Sequence, residues 1–460
     1  MFDKQKLQYL LNLGLETGAD FSELFFENTN SNTMEMVGGK VSNINSSNVH
    51  GVGVRIIKGV EEVYAYNNDT SYEVVEQLIK QAAGSFSGNR VFEAKELKEV
   101  EYENITPVLV TPSDVSNDEK KKYLLEMTEG AKSVGEDIKQ IIAICLDKEQ
   151  DILVVNSNGI YGKDRRTYIR ASVNVVAQNG AITQTSSFNT GRNMGFEHFR
   201  KINFYEKGKE CAEVAKTMLY ADECKSGKMT VVVHNKFGGV LLHEACVHSL
   251  EATSVAKGLS VFCNKLGQKI ASDVVTAVDD GSLKNYWGSL NIDDEGHKTQ
   301  KNVLIENGIL KSYLVDYKNS KIMNHPVTGS GRRESYKYSP TSRMTNTFFD
   351  NGKSTFEEII AATEYGLFAK SMGGGSVNPV TGEFNFNVSE GYLIENGKIT
   401  KPVRGCTLVG SGSEVLLNID MIGNNLDTGH GMCGSASGSI PTDVGQPTIR
   451  VQNMTVGGRG

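Results

Sequence analysis

The first part of the chain combines two amphipathic helices with short strands. Four leucines recur at the spacing of one helical face and stop before Gly18: Leu7, Leu10, Leu11 and Leu15. A second stripe of apolar residues predicts a helix over residues 72–83. Three stretches rich in strand-forming residues lie between turns of Asn and Gly, and they predict strands over residues 33–37, 52–57 and 62–66.

The second part of the chain predicts an antiparallel sheet between two helices. The first helix is predicted to be capped by Asn117 or Asp118, and the second to cover residues 207–220. Alternating apolar residues predict three strands between the helices, over residues 141–146, 152–155 and 168–176. Asn158-Gly159 and Asn179-Gly180 predict hairpin turns, because both residue types tolerate positive φ.

The third part of the chain differs from the first two in its pattern of glycines and predicted turns. It opens with a predicted strand over residues 229–233, two glycines and a helix, and it later becomes rich in Gly and hairpin turns. The string Leu-Ile-Glu-Asn-Gly occurs at residues 304–308 and again at 393–397, and each copy predicts a hairpin turn. The predicted fold class is therefore α+β, with three predicted domains: residues 1–105, 106–222 and 223–460.

Composition and charge exclude several classes of protein. The 460 residues include 55 acidic and 48 basic side chains, and the net charge of −7 argues against a nucleic-acid-binding protein. No apolar run reaches the ~18 residues that a membrane helix needs. Seven scattered cysteines do not suit a disulfide framework, and the first residues lack the apolar stretch of a signal peptide. These features predict a cytoplasmic protein that has no membrane partner.

The clearest chemical signal is the pair His243 and His248, with Glu244 beside the first histidine. These are the residue types of a zinc hydrolase site, in which Glu244 would take a proton from water. Residues five positions apart are offset by about 140° on a regular helix, so the two imidazoles would point in different directions. They can bind one metal only if the helix widens into a π-type turn or ends near His248. The alternative interpretation is two unrelated histidines.

A catalytic zinc site also needs a third protein ligand and an open fourth position for water. The residues that could supply the third ligand are Cys246, Cys263, Cys406, Cys433, His297, His325 and His430. Cys246 lies within the motif and is better explained as a buried core residue. The residues alone leave the choice open between Cys406, which fits a strand, and Cys433, which lies in a Gly-rich turn.

Two further stretches are rich in polar residues or glycine. Arg332, Arg333 and Arg343 lie in a loop of Gly and Ser and are candidates for binding the substrate or a developing oxyanion. The alternative interpretation is a solvated loop with ion pairs. The glycines at residues 373–375 lack the Lys-Ser/Thr ending of a phosphate-binding loop, and close approach of a peptide backbone, or flexibility, explains them better.

Several longer motifs resemble those of the TldD/PmbA family of metallopeptidases, once described as modulators of DNA gyrase. In chain order they occupy residues 238–245, 331–333 with 343–347, 389–397, 431–434 and 445–448. The resemblance covers nearly the whole chain. It implies an N-terminal domain, a middle domain and a β-rich C-terminal metal-binding domain with a motif-bearing helix. It also implies a dimer, either of two identical chains or with a PmbA-like subunit.

The resemblance extends to individual residues. Family members with a His-Glu-x-x-x-His motif are the active type, and this chain keeps His243, Glu244 and His248. The cysteine ligand of the family falls in its Met-Cys-Gly motif, which contains Cys433 in this chain. Val247 and Ser249 differ from the glycines that relatives usually carry beside the second histidine.

The sequence thus predicts a zinc-dependent endopeptidase that hydrolyses unfolded or extended peptides. Zn²⁺ would be held by His243, His248 and Cys433, and Glu244 would be the base. An extended peptide could add a strand at a sheet edge beside the site. Relatives take part in leader-peptide removal and in turnover of small unstable proteins, and either role would suit. The competing interpretation is a non-catalytic scaffold or partner subunit with a structural metal site, although such a site needs no Glu244 and more often has four protein ligands.

Overall fold

The computed structural model describes residues 2–378 and 381–458, which contain nine α-helices and 23 β-strands. The helices are α1 (Lys4–Leu15), α2 (Tyr72–Ala83), α3 (Asn117–Lys132), α4 (Phe204–Leu219), α5 (Val240–Ala245), α6 (Ala252–Val255), α7 (Tyr317–Met323), α8 (Phe356–Ala361) and α9 (Gly412–Asn418). Within those two ranges, no helix is both long enough and apolar enough to cross a membrane.

The strands of the first half of the chain are β1 (Phe21–Val37), β2 (Lys40–Lys58), β3 (Glu61–Asn67), β4 (Lys98–Glu99), β5 (Ile138–Asn156), β6 (Ile160–Asn179), β7 (Ile182–Asn193), β8 (Asp222–Glu223) and β9 (Gly227–Val233). The later strands are β10 (Ala277–Asp280), β11 (Lys301–Glu306), β12 (Ile309–Leu310), β13 (Gly331–Arg332), β14 (Thr341–Ser342), β15 (Asn346–Phe349), β16 (Tyr365–Val377), β17 (Glu383–Glu395), β18 (Lys398–Arg404), β19 (Thr407–Ser411), β20 (Ile419–Ile422), β21 (Asp427–Ser435), β22 (Gly438–Gln446) and β23 (Ile449–Gly457).

One seven-stranded sheet contains strands from both sides of residue 105. Its order is β3-β2-β1-β5-β6-β4, and β7 also pairs with β6. Strands β1 and β5 form the central antiparallel ladder, from Glu23 opposite Asn156 to Val37 opposite Ile142. Helices α1 and α2 pack on one half of this sheet, and helices α3 and α4 pack on the other half. The predicted division at residue 105 therefore lies inside a continuous sheet, and as a domain boundary it stays a prediction.

Strand β5 is longer than the sequence pattern indicates. The prediction of two strands, over residues 141–146 and 152–155, is wrong because β5 is continuous through the polar residues between them. One of those residues, Asp147, accepts a hydrogen bond from the buried ammonium of Lys120 at 2.6 Å. Polar side chains that find such partners do not have to leave the sheet, so the strand continues.

The start of α3 differs from its prediction. Ser116, rather than Asn117 or Asp118, caps the helix, because its side chain accepts a hydrogen bond from the backbone N–H of Glu119. Asn117 and Asp118 instead occupy the first turn, where the charge of Asp118 suits the positive end of the helix dipole. Helix α2 has its predicted bounds.

The repeated Leu-Ile-Glu-Asn-Gly string forms two hairpin turns, as predicted. Asn307 and Asn396 have φ angles of 48° and 52°, and the following Gly308 and Gly397 have φ angles of 80° and 71°. Both residues of each turn therefore lie in the left-handed region that a two-residue hairpin turn requires. The turns join β11 to β12 and β17 to β18.

The C-terminal region consists of two sheets with helix α5 between them. The six-stranded sheet has the order β12-β11-β10-β15-β22-β21, so β21 lies at its edge. The eight-stranded sheet contains the closed ring of pairings β16-β9-β23-β19-β17-β16, to which β18, β8 and β20 are attached. Helix α5 contacts strands of both sheets. Its start approaches β22 closely because Gly239 has no side chain, and a Cβ atom there would overlap the backbone of Gly445.

A buried group of opposite charges joins the seven-stranded sheet to the C-terminal region. Arg166 on β6 contacts Asp294 at 2.7 Å and Asp164 at 3.0 Å. Arg333 contacts Glu23 on β1 at 2.6 Å, and both side chains are fully buried. The alternative of a solvated loop is therefore wrong for Arg333. Because each charge has a partner, the loss of one partner would leave an uncompensated buried charge.

The variant Arg166→Met tests the importance of these buried pairs. We expect it to lower the free energy of unfolding by about 3–5 kcal/mol, because Asp294 and Asp164 would keep buried charges without a counter-ion. Arg165→Met is the matched control, since the Arg165 side chain is 62% exposed and its contact with Glu149 is at the surface. Its expected loss is within ~1 kcal/mol. Urea unfolding followed by circular dichroism measures both, and equal losses would contradict this account.

Candidate metal centre

Helix α5 ends before the second histidine of the motif. The backbone of Cys246 has φ −125° and ψ −59°, outside the helical range, and a 3-10 turn (Val247–Leu250) follows it. Of the two predicted ways to bring the imidazoles together, the structure has the one in which the helix ends near His248. His243 and Glu244 therefore lie on the helix, and His248 lies on the turn that follows.

Hydrophobic burial favours this local fold. Cys246, Val247 and Leu250 are all buried, and they belong to one hydrophobic cluster of the C-terminal region. Val247 and Ser249, the two chain neighbours of His248, are both buried in the protein. Neither neighbour therefore adds an exposed side chain beside His248.

Three atoms that can bind a metal meet at the end of α5. The Sγ atom of Cys433, on β21, lies 3.3 Å from Nε2 of His243 and 3.3 Å from Nε2 of His248. The two imidazole rings are 4.9 Å apart between centroids, with an interplanar angle of 85°. Tetrahedral zinc, with bonds of about 2.0–2.3 Å, needs ligand atoms about 3.3–3.6 Å apart. The spacing and the chemistry of this His243–His248–Cys433 cluster therefore fit such an ion.

The structure distinguishes between the two cysteines that the sequence leaves open. Cys433 contacts both histidines, whereas Cys406 is buried beside Cys224. Within the described residues, none of the other candidates joins the ligand atoms around His243: Cys246, Cys263, His297, His325 and His430. This placement supports Cys433 as a ligand, and the ligand role itself stays a prediction.

The two histidines differ in acidity because their surroundings differ. Burial lowers the pKa of His243 well below its usual value, and the charges of His248 and Arg343 lower it further, so His243 is the neutral imidazole that a metal needs. Burial also opposes the charge of His248, but Glu251 and Cys433 outweigh it and raise the pKa of His248 well above its usual value. Metal binding would therefore release a proton from His248.

Glu244 is the most exposed ionisable group of the motif. Its side chain is 31% exposed, against 15% for His248, and its Oε2 atom lies 3.8 Å from Nε2 of that histidine. Burial raises the pKa of Glu244, His248 opposes this shift, and Glu251 adds to it. A carboxylate in this position can exchange a proton with solvent and with a group bound at the cluster.

One residue of the site, Glu251, escapes prediction from the sequence. It is buried, and its Oε2 atom lies 3.2 Å from Nδ1 of His248. The sequence does place an acidic residue three positions after the second histidine. The same spacing is equally typical of an exposed helix, so it does not indicate a contact. Its contact with His248 depends on the turn after Cys246, which spacing does not reveal.

The three predicted arginines occupy different places. Arg343 is fully buried, and its Nη2 atom donates a hydrogen bond to the backbone oxygen of Cys433. Arg332 is also buried and donates to the backbone oxygen of Met344, and Arg333 belongs to the buried charges described above. Among the contacts between described residues, Arg343 is the one of the three that reaches the cluster. Substrate binding by these arginines stays a prediction.

A second group with metal-ligand chemistry lies at residues 293–297. Atoms of Asp293, Glu295 and His297 lie within 4.8 Å of one another. Both carboxylates already have partners, since Glu295 contacts Arg55 and Asp293 accepts backbone N–H bonds from Glu295, His297 and Gly331. A cation would have to compete with Arg55 here, so this group better fits ion pairing.

Comparison with known proteins identifies the family. The model of the PmbA/TldA metallopeptidase domain 1 matches residues 22–85, that of the central domain matches 110–219, and that of the C-terminal domain matches 226–458. The Metalloprotease TldD homolog of Buchnera aphidicola subsp. Acyrthosiphon pisum is 36% identical over 95% of this chain and 93% of its own length. The Zinc metalloprotease TldD homolog of Saccharolobus solfataricus is 29% identical over 62% of this chain and 64% of its own. The chain belongs to the PmbA/TldD family of metallopeptidases.

Solved structures show the same fold over nearly the whole chain. A protein from Thermotoga maritima, described as a modulator of a DNA gyrase, has a TM-score of 0.80 at 21% identity, with coverage of 98% of this chain and 99% of its own. TldE from Thermococcus kodakarensis has a TM-score of 0.77 at 19% identity, with coverage of 98% and 99%. The predicted α+β fold is confirmed.

The metal content of two cysteine variants tests the third ligand. After dialysis against zinc and then metal-free buffer, the parent should hold about one zinc per chain. Cys433→Ser should lose most of it, because a serine hydroxyl is a poor zinc ligand. Cys406→Ser, which changes a buried cysteine outside the cluster, is the matched control and should keep the parental content. Retention by Cys433→Ser together with loss by Cys406→Ser would contradict the assignment.

Proposed function

We propose that this protein is a zinc-dependent endopeptidase that hydrolyses unfolded or extended peptides. The proposal depends above all on one observation: His243, His248 and Cys433 meet beside the partly exposed carboxylate of Glu244. Membership of a metallopeptidase family supports it. Two imidazoles and a thiolate favour zinc over metals that prefer oxygen ligands, and one relative is named a zinc metalloprotease.

Each residue of the site has a role in the proposed reaction. His243, His248 and Cys433 would hold the metal and leave a fourth position open. A zinc ion in that place supplies a Lewis acid that lowers the pKa of water toward ~7. Glu244 takes a proton from the attacking water on a carboxylate oxygen and then delivers it to the nitrogen of the leaving amine. The raised pKa of Glu244 suits this work, because a carboxylate that holds a proton more tightly is a stronger base.

Extended peptides are proposed as substrates because a free strand edge lies close to α5. Strand β16 packs against α5, and it pairs with β9 only over residues 366–369. Of its later described residues, Ser371, Met372 and residues 375–377 pair with β17, and the register is irregular between Met372 and Gly375. Gly374 lies on this segment, and a Cβ atom there would contact nothing within 4 Å. A peptide backbone could approach this edge and pair with it through backbone hydrogen bonds, with little dependence on side chains.

The strand that carries Cys433 is a less suitable edge. Although β21 is the last strand of its sheet, two of its backbone oxygens already accept hydrogen bonds from side chains. The indole of Trp287 donates to the oxygen of Gly431 at 2.8 Å, and Arg343 donates to that of Cys433. A substrate strand would have to displace both donors. We therefore propose that the substrate peptide pairs with β16 rather than with β21.

The proposed enzyme acts in the cytoplasm as a dimer, formed by two copies or by one copy and a PmbA-like subunit. The likeness to TldE supports a partner with the same fold. The seven cysteines are free, as a reducing compartment favours, and the net charge of −7 gives no support to a nucleic-acid partner. Leader-peptide removal and turnover of small unstable proteins both suit an enzyme that acts on extended chains.

Glu244→Gln tests the proposed reaction. The variant should keep about one zinc per chain and hydrolyse a fluorogenic unfolded peptide ~10²–10⁴-fold more slowly, because an amide cannot take the proton. Glu364→Gln, which changes an exposed carboxylate of the same region, is the matched control and should keep the parental rate. A Glu244→Gln protein with zinc bound and the parental rate would rule out this role for Glu244.

The same assay distinguishes the proposed enzyme from the alternative interpretation, a non-catalytic scaffold or partner subunit. A parent that binds zinc but cleaves no unfolded peptide, alone or mixed with a PmbA-like subunit, would favour a structural metal site. Activity that appears only after mixing would instead indicate an obligate heterodimer.

A further inference from the structure

Two buried residues of opposite charge contact members of the His243–His248–Cys433 cluster. Glu251 is 5% exposed, and its Oε2 atom lies 3.2 Å from Nδ1 of His248. Arg343 is 0% exposed, and its Nη2 atom donates to the backbone oxygen of Cys433. The Nε atom of Arg343 and the Oε1 atom of Glu251 are 4.0 Å apart, and neither atom has a hydrogen-bond partner among the described residues.

We propose that Glu251 and Arg343 are positioning residues that act as one unit on the two sides of the metal centre. The inference rests on the proposed zinc site. Glu251 orients the ring of His248, Arg343 holds the backbone of Cys433, and the ion pair connects the two chain segments. Arg343 is therefore assigned a structural task at the site instead of contact with substrate, which agrees with its complete burial.

Glu251 determines which ring nitrogen of neutral His248 is available to bind a metal. Its carboxylate accepts a hydrogen bond from Nδ1–H, so the free lone pair of the neutral ring lies on Nε2. This is the ring atom that contacts Cys433. Without the carboxylate, the proton could move to Nε2, and that atom could no longer bind a metal. The ring would also lose the contact that fixes its orientation.

Arg343 holds the hairpin that carries Cys433. Besides the backbone oxygen of Cys433, its guanidinium contacts Oγ of Ser437 at 2.9 Å and the backbone oxygen of Gly438 at 3.0 Å, both through Nη1. These contacts connect β21 with the turn and the start of β22. A guanidinium can make these bonds with its two terminal nitrogens and still present Nε to Glu251, which a lysine ammonium cannot do.

Zinc affinity tests this inference without depending on activity. We expect Glu251→Ala and Arg343→Lys to raise the Kd for zinc by ~10–100-fold in a competition with a chelating dye, as the loss of a partner of a metal ligand does. Glu251→Gln keeps an oxygen that can accept the bond from Nδ1–H, so its effect should be smaller than that of Glu251→Ala.

Glu390→Gln is the matched control, because Glu390 is another buried carboxylate of the C-terminal region and has an ion-pair partner, Lys370, at 2.8 Å. This variant should keep the parental zinc affinity even if its melting temperature is lower than that of the parent. If Glu251→Ala does not fold, Glu251→Gln and Arg343→Lys provide the test.

Two results would overturn the inference, and they differ in what else they affect. Parental zinc affinity in all the Glu251 and Arg343 variants would overturn the positioning roles and leave the proposed function intact. A folded parent that binds no zinc would overturn the positioning roles and the proposed function together.

Discussion

The candidate centre depends on the break in helix α5 at Cys246. On a continuous helix, His243 and His248 would point about 140° apart and could not share a metal. The break turns the chain, and both Nε2 atoms come to lie 3.3 Å from the same sulfur atom. Glu244 remains on the helical side, where its carboxylate is partly exposed. One departure from regular backbone geometry therefore brings together the two proposed histidine ligands and the proposed base, Glu244.

Contacts of helix α5 and of strand β21 with strand β22 hold this arrangement in place. Helix α5 is pressed against β22 at the contact between Gly239 and Gly445, and β22 is paired along its length with β21, which carries Cys433. The proposed ligands His243, on the helix, and Cys433, on the strand, are thus fixed to the same pair of strands. Buried ion pairs form other long-range contacts, as between Arg166 and Asp294, and a single substitution there would leave one buried charge without a partner.

Local signals in the sequence predicted the features that neighbouring residues determine. The apolar stripe of α2 and the Asn307-Gly308 turn need no distant partner, and both lie where predicted. Distant contacts determined the rest. Strand β5 continues through Asp147 because Lys120 reaches it from α3, and Cys433 meets the histidines because β21 passes the end of α5. The role of Glu251 depends on the same turn as His248, so residue type and spacing alone could not indicate it.

X-ray absorption at the zinc edge of the zinc-loaded protein tests the central claim most directly, because it reports the ligand atoms themselves. The account predicts two nitrogen ligands at about 2.0–2.1 Å and one sulfur ligand at about 2.3 Å, with one further light atom in the open position. A spectrum without sulfur in the first coordination sphere, or with two or more sulfur ligands, would contradict a centre formed by His243, His248 and Cys433.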